Sequence, residues 1–313
     1  MDRTERKTRK CFIIISILII LIIIISPLII YTISNYKNAS LLNTSLFNEL
    51  TQLQTIYHEK NTNNIELTKK LAEITNIEEN TTKLKEDVFN KASLLEQIIL
   101  KKETKYKIAY LTFDDGPYYL TNKYLSILKK YKVKGTFFTI GLDKDTCFDN
   151  KNKDCSGIYK KIVDEGHTIA NHTYSHLIFK GLYTSTNSFI NQVKKQEELI
   201  KKRTGVITNI VRFPGGSGTA NAYGIKNSAI KKLRELDYGW VDWDALDGDG
   251  GSVNSQSTAL KNFKNSINED IEVVLLHDYS QISLAILPEI ITYLENKNYI
   301  LLPLFYESVK VNK

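Results

Sequence analysis

The chain has 313 residues, 42% of them hydrophobic and 25% charged, which is enough apolar content for one large packed domain with accessory segments and too much for a disordered chain. Its net charge of +7 comes from lysines scattered through helix-like stretches, without the clustering beside aromatics that a nucleic-acid binder needs, so no nucleic-acid partner is expected. An anionic cell envelope suits the charge equally well.

Residues 1–10 carry Arg3, Arg6, Lys7, Arg9 and Lys10, and the next segment, CFIIISILIILIIIISPLIIY over 11–31, has no charge at all. At about 1.5 Å per residue that run spans the roughly 30 Å hydrocarbon layer of a bilayer. The expectation is a single-pass anchor in the cell membrane with residues 1–10 cytoplasmic and everything after Tyr31 outside, by the positive-inside rule. A cleaved signal peptide competes, but no A-x-A site follows and the run exceeds a signal peptide's apolar region.

Residues 32–106 lack Gly and Pro, and Leu46, Leu50, Leu53, then Leu67, Leu71, Ile74, then Leu84, Val88, Leu95 and Ile98 recur at helical spacing. They predict a helical or coiled-coil stalk, on the order of 100 Å long if continuous, through which chains could self-associate. The register breaks around residues 60–64, and a flexible polar linker is the alternative. Either holds the following domain away from the membrane.

From Lys107 the pattern alternates. Apolar runs KIAYLTF, GTFFTIG, HTIANH, NIVRF, YGWVDW, EVVLLHD and YILLPL are separated by helix-like stretches over 124–132, 158–165, 188–202, 225–236, 257–267 and 284–295. Strand and helix in turn predict an α/β domain over 107–306, a parallel sheet or β/α barrel, with a short tail at 307–313. Cys147 and Cys155 bracket CFDNKNKDC; outside the cytoplasm they can pair or stay as thiols, since so large a core needs no staple.

The strand ends carry the chemistry. Asp114 and Asp115 end the first, His172 and His176 follow the third, Arg212 with Pro214 and Gly215 ends the fourth, Asp244 the fifth, and His277 with Asp278 the sixth. In a β/α barrel the carboxyl ends of the strands open on one face, so these groups should converge. His172 and His176, four apart, face one side of a helical turn, and one carboxylate completes a set for zinc or a similar divalent ion with positions left open to water. Asp115 can be that ligand and Asp114 the base that deprotonates the water. Two adjacent carboxylates would otherwise repel and lose hydration.

The segments TFDDGP, HTYSH, RFPGG, DWDALD and LLHD resemble, in order and rough spacing, the five motifs of the NodB-type polysaccharide deacetylases, carbohydrate esterase family four. The resemblance covers about residues 107–306 and none of the anchor or stalk. It implies a distorted (β/α) barrel and metal-dependent removal of N-acetyl groups from a glycan, with acetate released. Position by position, it implies Asp114 as base, Asp115, His172 and His176 as ligands of a divalent metal (zinc, cobalt or another), and Arg212 as the group orienting Asp114. It also implies an oxyanion-binding N–H at Gly215 beside Pro214, His277 as the acid that protonates the departing amine, Leu275 against the acetyl methyl, and Asp244 holding either Arg212 or His277 charged.

Two departures stand out. Asp247 is followed by Gly248 and GDGGS where a tryptophan is frequent, so Trp243 or Trp240 is left to supply a sugar-stacking wall; GDGGS itself lacks the Lys-Ser/Thr partner of a phosphate cradle. Phe213 and Gly215 stand where Pro and Tyr are frequent, and the missing Tyr ring at Gly215 opens the groove. His167 is read as structural and His58 as an exposed stalk residue. The leading expectation is a tethered deacetylase of the cell's own wall, acting on N-acetylglucosamine of peptidoglycan. The alternatives are a deacetylase of N-acetylmuramic acid, poly-N-acetylglucosamine or chitin oligomers, a non-haem iron oxygenase, and an inactive wall-binding scaffold. The oxygenase ligands run His-x-Asp then His on a β-sandwich, whereas here strands alternate with helices and the acid comes first, and a dead copy would have lost a ligand or the base.

Overall fold

The computed structural model describes residues 81–141, 145–147 and 149–313, with side chains from residue 91 onward. The anchor read over 11–31, most of the stalk and His58 lie outside the described residues, and among the described residues no helix is long and apolar enough to cross a membrane.

The elements are α1 (Thr81–Leu100), β1 (Lys107–Asp114), α2 (Thr121–Tyr131), β2 (Thr136–Thr139), α3 (Ser156–Asp164), β3 (Thr168–Asn171), α4 (Thr186–Thr204), β4 (Ile210–Val211), α5 (Gly216–Ala222), α6 (Lys226–Arg234), β5 (Gly239–Trp240), β6 (Ala245–Leu246), α7 (Gln256–Ser266), β7 (Ile271–His277), α8 (Gln281–Asn296) and β8 (Tyr299–Leu301). All the ladders are parallel, in the order β5-β4-β3-β2-β1-β7-β6, with β8 paired to the start of β1. The distorted barrel of the sequence reading is thus an open half-barrel: among the described residues no ladder joins β5 to β6.

β1 and β7 are buried on both faces, as central strands of a parallel sheet must be. Their side chains alternate between two cores. Ala109, Leu111, Phe113, Val274 and Leu276 pack outward against α2, α3, α7 and α8, whereas Ile108, Tyr110, Ile271 and Val273 point inward with Phe138, Ala170 and Val241. Full pairing of β1 with β7 sets Asp114 beside His277, so the first and last motifs become neighbours.

α1 falls within the segment read as stalk, and the helical stripe there is real. Its apolar face is covered by the half-barrel itself: Ala92 and Ile99 join the inward core, with Leu95 packed against it. Glu96, fully buried, accepts hydrogen bonds from the Tyr110 hydroxyl at 2.7 Å, the Ser308 hydroxyl at 2.6 Å and the Val309 amide at 2.9 Å. Burial pushes its carboxyl above the usual range, and those donors pull it partly back. The tail read at 307–313 is likewise built in, Asn312 exchanging backbone bonds with Trp240 at 2.8 and 2.9 Å.

Cys147 and Cys155 form a disulfide with their Cα atoms 4.9 Å apart. Within the loop it closes, Asp149 accepts from the amides of Tyr119 (2.7 Å) and Leu120 (3.1 Å), fixing the segment that follows the TFDDGP motif.

Candidate active site

Asp115 is held in the left-handed region, φ 73°, just past the end of β1. That conformation costs a non-glycine residue of order 1–3 kcal/mol and persists only where the surroundings enforce it. Gly116 follows because a Cβ there would lie 2.1 Å from Asp278 Oδ2. His176 is left-handed as well, φ 52°, and the two residues turn their side chains toward His172.

The donor atoms of Asp115, His172 and His176 all lie within 4.8 Å of one another. His172 Nδ1 sits 2.9 Å from the Arg212 carbonyl, which can only accept, so Nδ1 carries the proton and Nε2 offers a lone pair. Asp115 Oδ1 lies 3.4 Å from that Nε2 and 3.2 Å from His176 Nε2, is buried, and has no hydrogen-bond partner. A lone pair facing a lone pair in a buried spot is repulsive unless a cation stands between them, so these three residues fit a divalent ion. Burial favours protonation of Asp115, yet the imidazoles of His172, His176 and His277 around it outweigh burial and hold the carboxyl well below the usual carboxylate range. Burial, with His172 nearby, pushes His176 down, toward the neutral form a metal requires.

Asp114 stands beside this triad. Its Oδ1 accepts from Arg212 Nη1 at 2.8 Å, and its Oδ2 lies 3.6 Å from His172 Nε2. Arg212 is fully buried and donates four hydrogen bonds: besides Asp114, Nη1 donates to Thr112 Oγ1 at 2.7 Å, Nη2 to the Asp242 carbonyl at 2.9 Å and Nε to the Val241 carbonyl at 3.2 Å, with Phe138 stacked 4.1 Å below. This arrangement fixes Asp114 and leaves Oδ2 as the acceptor facing the cleft.

His277 approaches from β7, Nε2 3.9 Å from Asp115 Oδ2. Its partner is Asp249, whose Oδ1 lies 2.6 Å from His277 Nδ1 and whose Oδ2 accepts the His277 amide at 2.9 Å. Although burial opposes it, Asp249 pushes His277 up to about 9. Asp247 shares Ser283 with Asp249 at 2.6 Å, and burial and the charge of Asp249 push it up to about 7, so Asp249 is the ionised member. Gly250 packs so closely on His277 that a Cβ would come within 2.7 Å of the ring.

Asp244 is therefore corrected: it serves neither Arg212 nor His277. Its Oδ2 accepts the Val273 amide at 2.9 Å and pairs with Lys310 at 2.8 Å, below the strand ends, because β6 begins only after it. Trp240 is corrected too; it stands edge-on to Phe213 with its indole nitrogen buried, so it forms no wall. Trp243 does lie at the site, 5.8 Å from the Arg212 guanidinium and against Gly216. Leu275, buried on the inward face two residues before His277, pairs in register with Thr112. Pro214 is buried with its carbonyl bound by the Tyr183 hydroxyl at 2.8 Å, and Gly215 is exposed at the head of α5. His167 is structural as expected: it accepts the Gly135 amide at 3.0 Å, and burial pushes it down to about 3.

Asp249 was missed in the sequence reading. Its signal was an acid set between glycines in GDGGS, which is how a backbone passes close to a ring. Asp249→Asn should move the alkaline limb of the kcat/KM profile from near 9 toward the ordinary histidine value of 6.5, since a general acid works only below its pKa. A pH–rate profile checks this, and an unmoved limb would show that another group is the acid.

Residues 101–238 match the family described as polysaccharide deacetylase. A peptidoglycan-N-acetylglucosamine deacetylase of Bacillus cereus is 31% identical over 198 residues, covering 62% of this chain and 67% of that protein. A peptidoglycan-N-acetylmuramic acid deacetylase of Bacillus subtilis is 31% identical, over 63% of this chain and 69% of that protein. Among solved structures, the catalytic domain of peptidoglycan N-acetylglucosamine deacetylase from Eubacterium rectale matches with a TM-score of 0.59 and 30% identity, covering 66% of this chain and 92% of that one. With its motifs gathered at one end of a parallel half-barrel, the chain belongs to the NodB-type polysaccharide deacetylases, carbohydrate esterase family four.

Proposed function

We propose that this protein is a membrane-anchored, metal-dependent hydrolase that removes N-acetyl groups from glycan of its own cell wall, namely N-acetylglucosamine of peptidoglycan, releasing acetate. The observation that carries the reading is the orphaned Asp115 Oδ1 facing two imidazoles, with a carboxylate base on one side and a protonated imidazole on the other. Asp115, His172 and His176 would hold a divalent ion such as zinc, which would supply a Lewis acid for the acetyl carbonyl and for water.

The chain's own residues do the rest. Asp114 Oδ2 takes a proton from the attacking water while Arg212 holds its other oxygen. The Gly215 N–H meets the negative charge that develops on the carbonyl oxygen. Leu275 bounds the space for the methyl group. His277, kept charged by Asp249, gives its proton to the amide nitrogen, so the C–N bond breaks to leave an amine and acetate.

The location rests on separate support. The uncharged run at 11–31 after a basic tail fits an anchor, and the Cys147–Cys155 disulfide is the form that thiols keep outside a reducing cytoplasm. An enzyme tethered to its own membrane acts on its own envelope. N-acetylmuramic acid is the second reading, favoured by the equally similar Bacillus subtilis relative.

The full-length protein is to be incubated with peptidoglycan and with an N-acetylglucosamine oligomer, and acetate measured. Chelation should abolish release and zinc or cobalt restore it; release indifferent to chelator would overturn the metal-water mechanism. Mass analysis of the treated wall identifies which amino sugar has lost 'its' acetyl group, and N-acetylmuramic acid alone would replace the first reading by the second.

A further inference from the structure

Phe179 is 90% exposed, more than any other large apolar side chain described, and Leu177 two residues earlier is 48% exposed. Solvent is a poor place for a phenyl ring, yet the segment that bears it is well anchored. The 3₁₀ turn Ile178–Lys180 begins with the Ile178 amide on the His176 carbonyl at 3.0 Å, and the Leu182 amide returns to the Leu177 carbonyl at 3.2 Å. Ile178 tucks against Gly215, where a Cβ would meet its Cδ1 at 3.3 Å, and Leu182 and Tyr183 are buried just beyond. Phe179 therefore stands on a fixed pedestal at the cleft rim, three residues past His176 and next to the residue that packs on Gly215.

We infer that Phe179, seconded by Leu177, is a stacking platform for a sugar ring adjoining the one that loses its acetyl group; the inference rests on the deacetylase reading above. A pyranose has an apolar C–H face and polar edges, so it packs on an aromatic ring while its hydroxyls stay in water, the use that aromatic residues serve in wet, selective interfaces. A bilayer or a protein partner fits less well. The large exposed apolar side chains of this segment are only Leu177 and Phe179, followed in the chain by Lys180 and Gly181, fewer than such contacts need. The chain also enters through α1, which contacts Tyr110, Ser308 and Val309 among the inward core, whereas Phe179 follows the carboxyl end of β3.

The test uses full-length wild type, Phe179→Leu and Phe179→Trp. KM and kcat are measured by acetate release from N-acetylglucosamine dimer and tetramer, and binding of the deacetylated tetramer is followed by calorimetry. Wild type should favour the tetramer. Phe179→Leu should raise its KM about tenfold and weaken tetramer binding to match, with the loss in KM rather than kcat, and Phe179→Trp should restore both. Acetate release with KM and tetramer binding indifferent to Phe179 overturns the platform and leaves the deacetylase standing. Tetramer binding that depends on Phe179 without any acetate release supports the platform and overturns hydrolysis.

Discussion

Asp114→Asn is expected to lower acetate release by about a hundredfold to ten-thousandfold, the range that general-base catalysis contributes, while the protein keeps its divalent ion. His176→Ala should lose both activity and ion. The difference follows from geometry: Asp115 Oδ1 faces both imidazoles, whereas Asp114 is occupied by Arg212 through Oδ1 and reaches the cleft only with Oδ2. Asparagine keeps an acceptor for the guanidinium, and Arg212 retains Thr112 and the Val241 and Asp242 carbonyls, but its charge loses its counterion, and breaking a buried pair can cost about 3–5 kcal/mol. Metal content and a thermal melt must therefore accompany the assay. Equal loss of metal in both variants would refute this division of labour between the neighbouring aspartates.

Starting the chain at Lys107 should cripple folding, whereas starting it at Thr81 should not. Removal of α1 uncovers Ile108 and Tyr110 and deletes Ile98 and Ile99, both buried. At roughly 1.5–3 kcal/mol for each large apolar side chain, the two isoleucines alone approach the 5–15 kcal/mol that holds a domain folded. Loss of Glu96 also leaves the Tyr110 hydroxyl and Val309 amide without their acceptor. The shorter protein should melt at least about 10 °C lower or be recovered only as aggregate. Coincident melting curves for the two starts would show that α1 merely leans on the sheet.

Much of the site was legible because residue type and spacing alone constrain it. The runs ending in Asp114 and His277 proved to be the two longest strands, and parallel pairing placed their ends together. The triad was legible for the same reason: a carboxylate and two imidazoles at strand ends have few places to go. The failures came where strands are two residues long. YGWVDW looked like one strand ending at Asp244, but β5 stops at Trp240 and β6 starts at Ala245, so the polar residues between them turn in different directions. Asp249 escaped notice because its role depends on the path of a glycine loop, which has no hydrophobic period to read. The docking of α1 escaped for another reason: an apolar stripe on a helix says that something covers it, and only the tertiary structure says what.

Glu96 binds Ser308 and Val309, more than two hundred positions away, and β1 is flanked by β8 from the far end of the chain. A polypeptide that emerges amino end first cannot finish such an arrangement until Ser308 and Val309 have left the ribosome, because the groups that satisfy the early carboxylate are made more than two hundred residues later. During synthesis the early strands must wait, with their apolar faces uncovered, for residues 299–312 to arrive. A stop codon just ahead of Ser308 would therefore strand a nearly complete domain in that unfinished condition.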